Sequence, residues 1–192
     1  MNKTIKLASP LQFNSIVDGP GIRMVLWCQG CLMKCPGCHN PETHDLNKGF
    51  LEDIENVKIE LSKIKNQDGI TLSGGDPLYQ IEPSLEIAKY AKSIGLNVWC
   101  YTGFTFETLR EKAKHDKKLY ELLQNIDVLV DGKFILEQKS LNLPFRGSEN
   151  QRIIDVSKSL NQNEVVVIDK YKTKKKYTMY SNIQNVSNGI FI

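Results

Sequence analysis

Three cysteines, Cys31, Cys35 and Cys38, form a C-x-x-x-C-x-x-C loop in the sequence GCLMKCPGCHN. Thiolates bind metal ions and iron–sulfur clusters, but three are one fewer than a closed tetrahedral zinc site or a fully ligated four-iron cluster requires. A four-iron cluster on this loop would keep one iron open, and an open metal position is where a small molecule binds and reacts. The loop therefore favours an enzyme over a structural module.

A fourth thiol, that of Cys28, lies three residues upstream and permits a rival arrangement of two C-x-x-C pairs. Structural zinc sites built from such pairs separate them by about 15–20 residues, whereas only residues 32–34 intervene here. The bacterial ferredoxin order of cysteines does not match either. Because Cys28 ends an apolar run that starts at residue 22, it fits a small hydrophobic side chain better than a ligand. We therefore predict an iron–sulfur cluster rather than zinc, with Cys28 outside its ligand set.

The composition is ordinary for a soluble globular protein, since 41% of the 192 residues are hydrophobic and 24% are charged. This length predicts one domain with a substantial core. The sequence predicts neither a signal peptide nor a membrane span, and its five cysteines, an odd number, argue against a disulfide framework. A net charge of +3 is too small to indicate nucleic acid, and the lysine-rich segment 170–176 fits an exposed edge strand. We expect a cytoplasmic protein without a nucleic-acid or membrane partner.

Strand and helix patterns alternate along the chain. Short apolar runs predict buried strands, and apolar residues at helical spacing predict helices between them. Such alternation implies a parallel sheet covered by helices. Beyond residue 153 the pattern weakens to one further strand at 164–168 and to short antiparallel strands or a loose tail at 177–192. The predicted strands are residues 22–27, 70–72, 96–100 and 126–130, and the predicted helices are residues 51–64, 83–94 and 105–124.

Polar or glycine-rich motifs follow the ends of these strands. The cysteine loop follows the first strand, Gly74, Gly75 and Asp76 follow the second, Thr102 and Gly103 the third, and Asp131 and Lys133 the fourth. Active sites of parallel α/β sheets collect at the carboxyl ends of the strands. Four or five such units predict an α/β fold that is a partial (β/α) barrel of parallel strands, open on one side, with a short C-terminal extension. The opening would admit a loop of a macromolecular substrate.

Five segments carry a resemblance to a known family. They are FNSIVDGPGIRMVLWCQGCLMKCPGCHNPETHD from Phe13, LSGGDPL from Leu72, YTGF from Tyr101, VDGKF from Val130 and RGSENQR from Arg146. In this order they resemble the radical S-adenosylmethionine (SAM) enzymes, and more narrowly the activating enzymes of glycyl-radical proteins. The last two segments and the short length are most similar to activators of anaerobic ribonucleoside-triphosphate reductase, with activators of pyruvate formate-lyase as the alternative.

The resemblance implies a [4Fe-4S] cluster held by Cys31, Cys35 and Cys38, whose open iron chelates the amino and carboxylate groups of SAM. Reduced flavodoxin or ferredoxin would supply the electron that cleaves SAM. The resulting 5′-deoxyadenosyl radical would take a hydrogen atom from a glycine of anaerobic ribonucleoside-triphosphate reductase. The protein's part is to bind, orient and shield these cofactors. The rival from another class is a non-catalytic iron–sulfur or zinc module, which predicts no SAM binding and leaves the glycine and lysine motifs unexplained.

The resemblance also implies roles for single residues. Lys133 would pair with the SAM carboxylate as the lysine of a D-x-K element that begins at Asp131. Gly74 and Gly75 would let SAM approach the backbone closely, and Asp76 stands where much of the superfamily has a glutamate. Taken alone, these glycines fit a simple turn and Lys133 fits a solvated lysine. The other implied SAM contacts are Gly37, His39 and Thr102. Asp18 and Arg23 are candidate contacts of the partner's glycine loop, although Arg23 fits a salt-bridge partner within the fold equally well.

The implied domain organisation is a radical SAM core over residues 1–155, with the iron–sulfur loop at residues 28–40. Residues 156–192 would supply the last strand and the C-terminal extension of the same domain. The resemblance covers about residues 13–155.

Overall fold

The computed structural model describes residues 3–63 and 65–172. This part of the chain forms one mixed sheet of eight strands with five α-helices. It contains no helix that is long and apolar enough to cross a membrane. The strands are β1 (Thr4–Leu7), β2 (Gln12–Ser15), β3 (Arg23–Cys28), β4 (Phe50–Asp53), β5 (Gly69–Gly74), β6 (Asn97–Tyr101), β7 (Val128–Asp131) and β8 (Arg152–Asp155). The helices are α1 (Ile54–Lys63), α2 (Ile81–Ser93), α3 (Phe106–Ala113), α4 (Lys117–Asn125) and α5 (Val156–Gln162).

Four parallel strands, in the order β3-β5-β6-β7, form the centre of the sheet. Their residues are buried almost without interruption, as expected for parallel strands that are covered on both faces. Antiparallel strands flank this centre: β1 and β4 on one side, β8 on the other, with β2 paired to β3. The prediction of an open α/β sheet with parallel strands is confirmed, but the sheet is mixed because its flanking strands are antiparallel.

The helices cover one face of the sheet and enclose the main hydrophobic core. Alternate residues of β3, namely Met24, Leu26 and Cys28, point into this core and are fully buried. Cys100 of β6 belongs to the same core. Burial raises the pKa of the Cys28 thiol to about 12, and a neutral buried thiol is inert. The structure therefore places Cys28 in the core, in agreement with the sequence analysis.

Several predicted elements differ in their extent. Leu51 lies on β4 and pairs with Lys6 of β1, so α1 begins only at Ile54. The predicted helix 105–124 is two helices, because the side chain of Asp116 caps the start of α4 by accepting a hydrogen bond from the Leu119 N–H. The predicted strand 164–168 is reduced to a single antiparallel bridge between Ile154 and Val167. Residue 64 and the predicted tail at 177–192 lie outside the described residues.

Arg23 corrects the sequence analysis most clearly. It begins β3 at the amino edge of the parallel strands and is only 1% exposed. Its guanidinium donates hydrogen bonds to the Thr71 hydroxyl (2.7 Å) and to the carbonyl oxygens of Pro20 (3.2 Å) and Asn97 (3.1 Å), and it lies 5.6 Å from the centre of the Trp99 ring. The prediction that Arg23 contacts a partner protein is therefore wrong, because this side chain ties strands together inside the fold.

Candidate active site

The cysteine loop leaves β3 at the carboxyl edge of the sheet, and backbone hydrogen bonds fasten its start. The N–H groups of Gly30 and Cys31 donate to the carbonyl oxygens of Thr43 (2.8 Å) and His44 (3.2 Å). From the neighbouring strand end, the Gly75 N–H donates to the Cys28 carbonyl oxygen at 2.7 Å. The loop therefore has a fixed position relative to the glycine segment that follows β5.

Cys31, Cys35 and Cys38 line one cavity of about 580 Å³, hereafter the cysteine cavity. Gly74, Gly75 and residues of several other loops complete its lining. This volume lies within the range of about 300–1,000 Å³ that is typical of cofactor and ligand sites. The prediction that separate motifs converge at the carboxyl edge is thus borne out for the cysteine and glycine motifs.

The thiols of the cysteine cavity are partly shielded from water. Burial raises the pKa of Cys31 and of Cys38, so a metal centre that bound these sulfurs as thiolates would displace their protons. Within residues 3–63 and 65–172, no group of three or more His, Cys, Asp or Glu side chains is placed to hold a metal ion. In a four-iron cluster each cysteine binds a different iron, whereas a zinc ion gathers all its ligands around one atom.

Gly74 and Gly75 are required by packing within the protein. Gly74 has a φ of +96°, and a Cβ there would lie 2.5 Å from the Cys28 backbone nitrogen. A Cβ on Gly75 would lie 2.5 Å from the Gly30 carbonyl oxygen. Such distances are impossible for backbone neighbours, so the two glycines allow the cysteine loop to lie directly against the end of β5. Both also line the cysteine cavity.

Asp76 is buried beneath this arrangement and joins two loops. One carboxylate oxygen accepts a hydrogen bond from the Leu78 N–H (3.0 Å), and the other accepts from the Thr102 hydroxyl (2.9 Å) and the Gly103 N–H (3.0 Å). Burial raises its pKa to about 6 even though these donors favour the charged form. Asp76 does not line the cysteine cavity. We infer that Asp76 positions the loop after β6, and its predicted contact with SAM stays a prediction.

We expect Asp76→Asn to lower the free energy of unfolding by about 1–3 kcal/mol, because in either orientation the amide N–H₂ would face a buried N–H, that of Leu78 or that of Gly103, and leave it unsatisfied. Denaturant unfolding monitored by circular dichroism measures the change. Asp116→Asn is a matched control, since asparagine caps a helix N-terminus about as well as aspartate. Equal stability of the two variants would show that the Asp76 bonds contribute nothing.

Asp131 and Lys133 lie at a second cavity of about 830 Å³, hereafter the lysine cavity. The two cavities adjoin, because Met33, Gly103 and Gly132 line both. Lys133 is exposed at the lysine cavity. Lys133 and the three cysteines therefore lie in adjoining cavities and not in the same one.

Asp131 is 1% exposed, and its neighbours occupy both of its carboxylate oxygens. One oxygen accepts from Arg152 Nε at 3.0 Å, and the other accepts from the Phe106 N–H at 2.8 Å. Arg152 also binds Glu107 with both terminal nitrogens, and this hydrogen bonding lowers the pKa of Glu107 to about 2. We therefore assign Asp131 to positioning α3 and the loop that carries Lys133. Arg152 was not predicted as a site residue, although it ends the RGSENQR segment.

The remaining predicted residues divide between the cavity and the surrounding structure. His39 lines the cysteine cavity and packs against Phe134 in a tilted arrangement, with ring centres 5.1 Å apart. Asp18 and Thr102 line the same cavity. Gly37 does not: its φ is +69°, and a Cβ there would lie 2.7 Å from a methyl group of Leu136. The cysteine loop thus packs against the segment that follows β7.

One wall of the cysteine cavity was not predicted from the sequence. Residues from the segment between β7 and β8 form it, including Leu141, Phe145 and Arg146. Tyr101 fixes this wall, because its hydroxyl donates to the Phe145 carbonyl oxygen at 2.9 Å. The RGSENQR segment was a signal for this wall, but no local pattern indicated that the residues before it turn toward the cysteines.

Comparison with known proteins assigns the family. Residues 17–154 match the family described as "4Fe-4S single cluster domain". The anaerobic ribonucleoside-triphosphate reductase-activating protein of Vibrio cholerae is 38% identical over 147 residues, which cover 72% of this chain and 90% of that protein. Its Escherichia coli K12 counterpart is 37% identical over 145 residues, covering 71% and 90%. The chain belongs to this family of activating proteins. As a member, it is a radical SAM enzyme of the oxidoreductase type, as the resemblance implied.

Two more distant similarities complete the comparison for this activating protein. The pyruvate formate-lyase-activating enzyme of Listeria monocytogenes is 34% identical over 157 residues, which cover 77% of this chain but 60% of that enzyme. Among solved structures, the crystal structure of QueE from Escherichia coli aligns with a TM-score of 0.43 and 14% identity, covering 55% of this chain and 54% of that one. The latter similarity is too low to support an argument.

Proposed function

We propose that this activating protein binds a [4Fe-4S] cluster through Cys31, Cys35 and Cys38 and cleaves SAM to place a glycyl radical on anaerobic ribonucleoside-triphosphate reductase. The observation that carries the proposal is the meeting of these three thiols with the glycine segment after β5 in one cavity. Cys28, the fourth thiol of the loop region, is excluded from that cavity by its place in the core. Three available thiols match a cluster with one open iron.

The residues present fit both cofactors. Three soft sulfur donors suit iron, and the cysteine and lysine cavities together provide adjoining space for a molecule of the size of SAM. When bound, the reduced cluster and SAM would supply the 5′-deoxyadenosyl radical that abstracts hydrogen from glycine. In this proposal the chain's own part is to hold the thiols at fixed positions and to orient SAM between the glycine segment, His39, Thr102 and Lys133.

The central strands support a particular architecture for this chemistry. Strands β3, β5, β6 and β7 would form the wall of a partial (β/α) barrel, with the cysteine cavity on its inner face and its carboxyl edge. Antiparallel β1 and β8 flank this wall without closing it onto itself in the described part of the chain. An open side of this kind would admit a loop of the reductase.

Electron paramagnetic resonance on the reconstituted pair tests the proposal. The anaerobically reconstituted protein is incubated with SAM, full-length anaerobic ribonucleoside-triphosphate reductase, and either dithionite or reduced flavodoxin. We expect a glycyl-radical signal on the reductase and about one 5′-deoxyadenosine for each radical formed. A protein that binds a cluster but neither binds nor cleaves SAM would contradict the proposal and support a non-catalytic iron–sulfur module.

Activation of pyruvate formate-lyase is the second candidate, because an activating enzyme of that lyase is also similar to this chain. The lengths favour the reductase: the chain covers 90% of the Vibrio cholerae reductase activator but only 60% of the Listeria monocytogenes enzyme. Replacing the reductase with pyruvate formate-lyase in the same assay distinguishes the two. A stronger glycyl-radical signal on the lyase would reverse the order of preference.

Lys133→Ala is expected to weaken SAM binding while the iron content stays at the wild-type level. An ammonium group that pairs with a carboxylate contributes about 1.5–3 kcal/mol, which corresponds to roughly a tenfold to hundredfold loss of affinity. Equilibrium binding of SAM to the cluster-loaded protein measures the loss. Lys63→Ala, at an exposed position of α1, should bind SAM normally. Unchanged affinity in Lys133→Ala would return this residue to the solvated surface of the lysine cavity.

A further inference from the structure

Arg146 brings a positive charge to the wall of the cysteine cavity. Its Nε atom is buried and has no hydrogen-bond partner among the residues that the structure describes. Its Nη2 atom donates to the carbonyl oxygen of Lys172 over 3.4 Å, a long distance for a hydrogen bond. The side chain therefore has donor capacity that the described part of the fold does not use.

The charge of Arg146 makes this unused donor important. Burial lowers the pKa of Arg146, and Glu149 opposes that effect electrostatically. Arginine nevertheless stays protonated in proteins, and a buried donor without an acceptor is unfavourable. An acceptor oxygen from outside the chain would relieve the unpaired donor.

The neighbours of Arg146 favour a peptide as the source of that oxygen. Asp18, a hydrogen-bond acceptor, lines the same cavity. Tyr101 connects the two positions: burial and the nearby Asp18 raise its pKa, and its hydroxyl binds the carbonyl oxygen of Phe145, next to Arg146. A donor and an acceptor in one cavity match the carbonyl and N–H groups that alternate along a polypeptide backbone.

The mouth of the cavity also favours a protein ligand. Val17 and Leu141 line the cavity and are 70% and 84% exposed. Contiguous exposed apolar surface is typical of sites that a protein or another ligand covers. A cofactor seated deep among the cysteines would leave these two side chains in water, whereas an inserted loop would bury them.

We propose that Arg146 binds a main-chain carbonyl group of the glycine-bearing loop that the reductase inserts into the cysteine cavity. The inference rests on the proposed function, because it takes the partner to be a glycyl-radical protein. It gives Arg146 the anchoring role that the sequence had suggested for Arg23, and it places the anchor on the segment between β7 and β8.

The test measures two affinities of the full-length, cluster-loaded protein: one for full-length reductase and one for SAM. Arg146→Gln should weaken reductase binding by about tenfold to a hundredfold, the effect of losing a hydrogen bond from a charged donor. The fold-loss of SAM affinity in this variant should be at least ten times smaller than the fold-loss of reductase affinity. Arg146→Lys, which keeps the charge but not the fork of donors, should recover part of the loss.

Arg110→Gln is the matched control, because Arg110 on α3 forms an exposed hydrogen bond with Asn163, and it should change neither affinity. Wild-type reductase affinity in Arg146→Gln would overturn the proposal. So would a loss of SAM affinity as large as the loss of reductase affinity, since it would assign Arg146 to the cofactor. A wild-type protein that neither binds SAM nor forms a glycyl radical would contradict the proposed function itself, so the two failures are distinguishable.

Discussion

Alanine at Cys31, Cys35 or Cys38 is expected to abolish cluster binding, whereas alanine at Cys28 or Cys100 should retain it. The wild-type protein, reconstituted without oxygen, should hold about four irons per chain, the content of one cubane, with little zinc. The reason for the contrast is position: the first three thiols line one cavity, while Cys28 and Cys100 are fully buried in the core. Iron and sulfide analysis with the visible absorption of the cluster measures the outcome.

The core variants are the controls for this prediction, because Cys28→Ala and Cys100→Ala remove thiols of the same chemistry. Each leaves only a small void, so some loss of stability is expected with full iron content. If Cys28→Ala lost the cluster as completely as Cys35→Ala, a closed site with four thiolates would replace the open-site proposal. Full iron content in any of the three loop variants would remove that residue from the ligand set.

Arg23→Ala should destabilise the whole fold, lowering the free energy of unfolding by about 3 kcal/mol or more. The substitution would leave a void beside Trp99 and strip donors from buried acceptors, including the Thr71 hydroxyl and the Asn97 carbonyl. Burial lowers the pKa of Arg23 to about 10, which still leaves the guanidinium charged at neutral pH. Denaturant unfolding of the purified variant measures the loss.

The activity of Arg23→Ala separates a structural role from a docking role. SAM cleavage and glycyl-radical formation should decline together with the folded fraction. Arg110→Ala, which removes a half-buried arginine whose hydrogen bond to Asn163 is exposed, should remain within about 0.5 kcal/mol of the wild type. Wild-type stability of Arg23→Ala combined with a selective loss of radical formation on the reductase would reinstate the docking role.

The centre of the fold was predictable because parallel strands leave a clear trace in sequence. Each central strand is a short apolar run between turn residues, and the motifs that end these runs meet at one edge. The flanking strands were not predictable in the same way. TIKL, QFNS and FLED mix polar and apolar residues over only four positions, so their pairing with distant segments determines their structure more than local pattern does.

The site was predictable where the chemistry is local and was missed where it depends on long-range contacts. Spacing alone identified the cysteine loop. By contrast, nothing local distinguishes Arg23, which is buried among five acceptors, from Arg146, which keeps an unpaired donor. Both follow a glycine- or proline-containing turn, and only the arrangement of distant strands decides which arginine is internal. Asp131 likewise fitted a ligand contact until its pairing with Arg152 was known.

The Arg23 network has a consequence for how this protein could change its specificity. It fastens the amino ends of β3, β5 and β6 at the edge farthest from the cysteines. The Arg23 hydrogen bonds that stabilise the fold thus lie at the amino ends of these strands, whereas the cysteine cavity lies at their carboxyl ends. We therefore expect substitutions at exposed positions of the segment between β7 and β8, such as Leu141, to redirect the proposed docking to another glycyl-radical protein without loosening the strands. For a laboratory that wishes to redirect the activase, the exposed residues Leu141 and Asn142 are the place to diversify. Leu143 and Phe145 pack inside the fold and, like the amino edge, should be left unchanged.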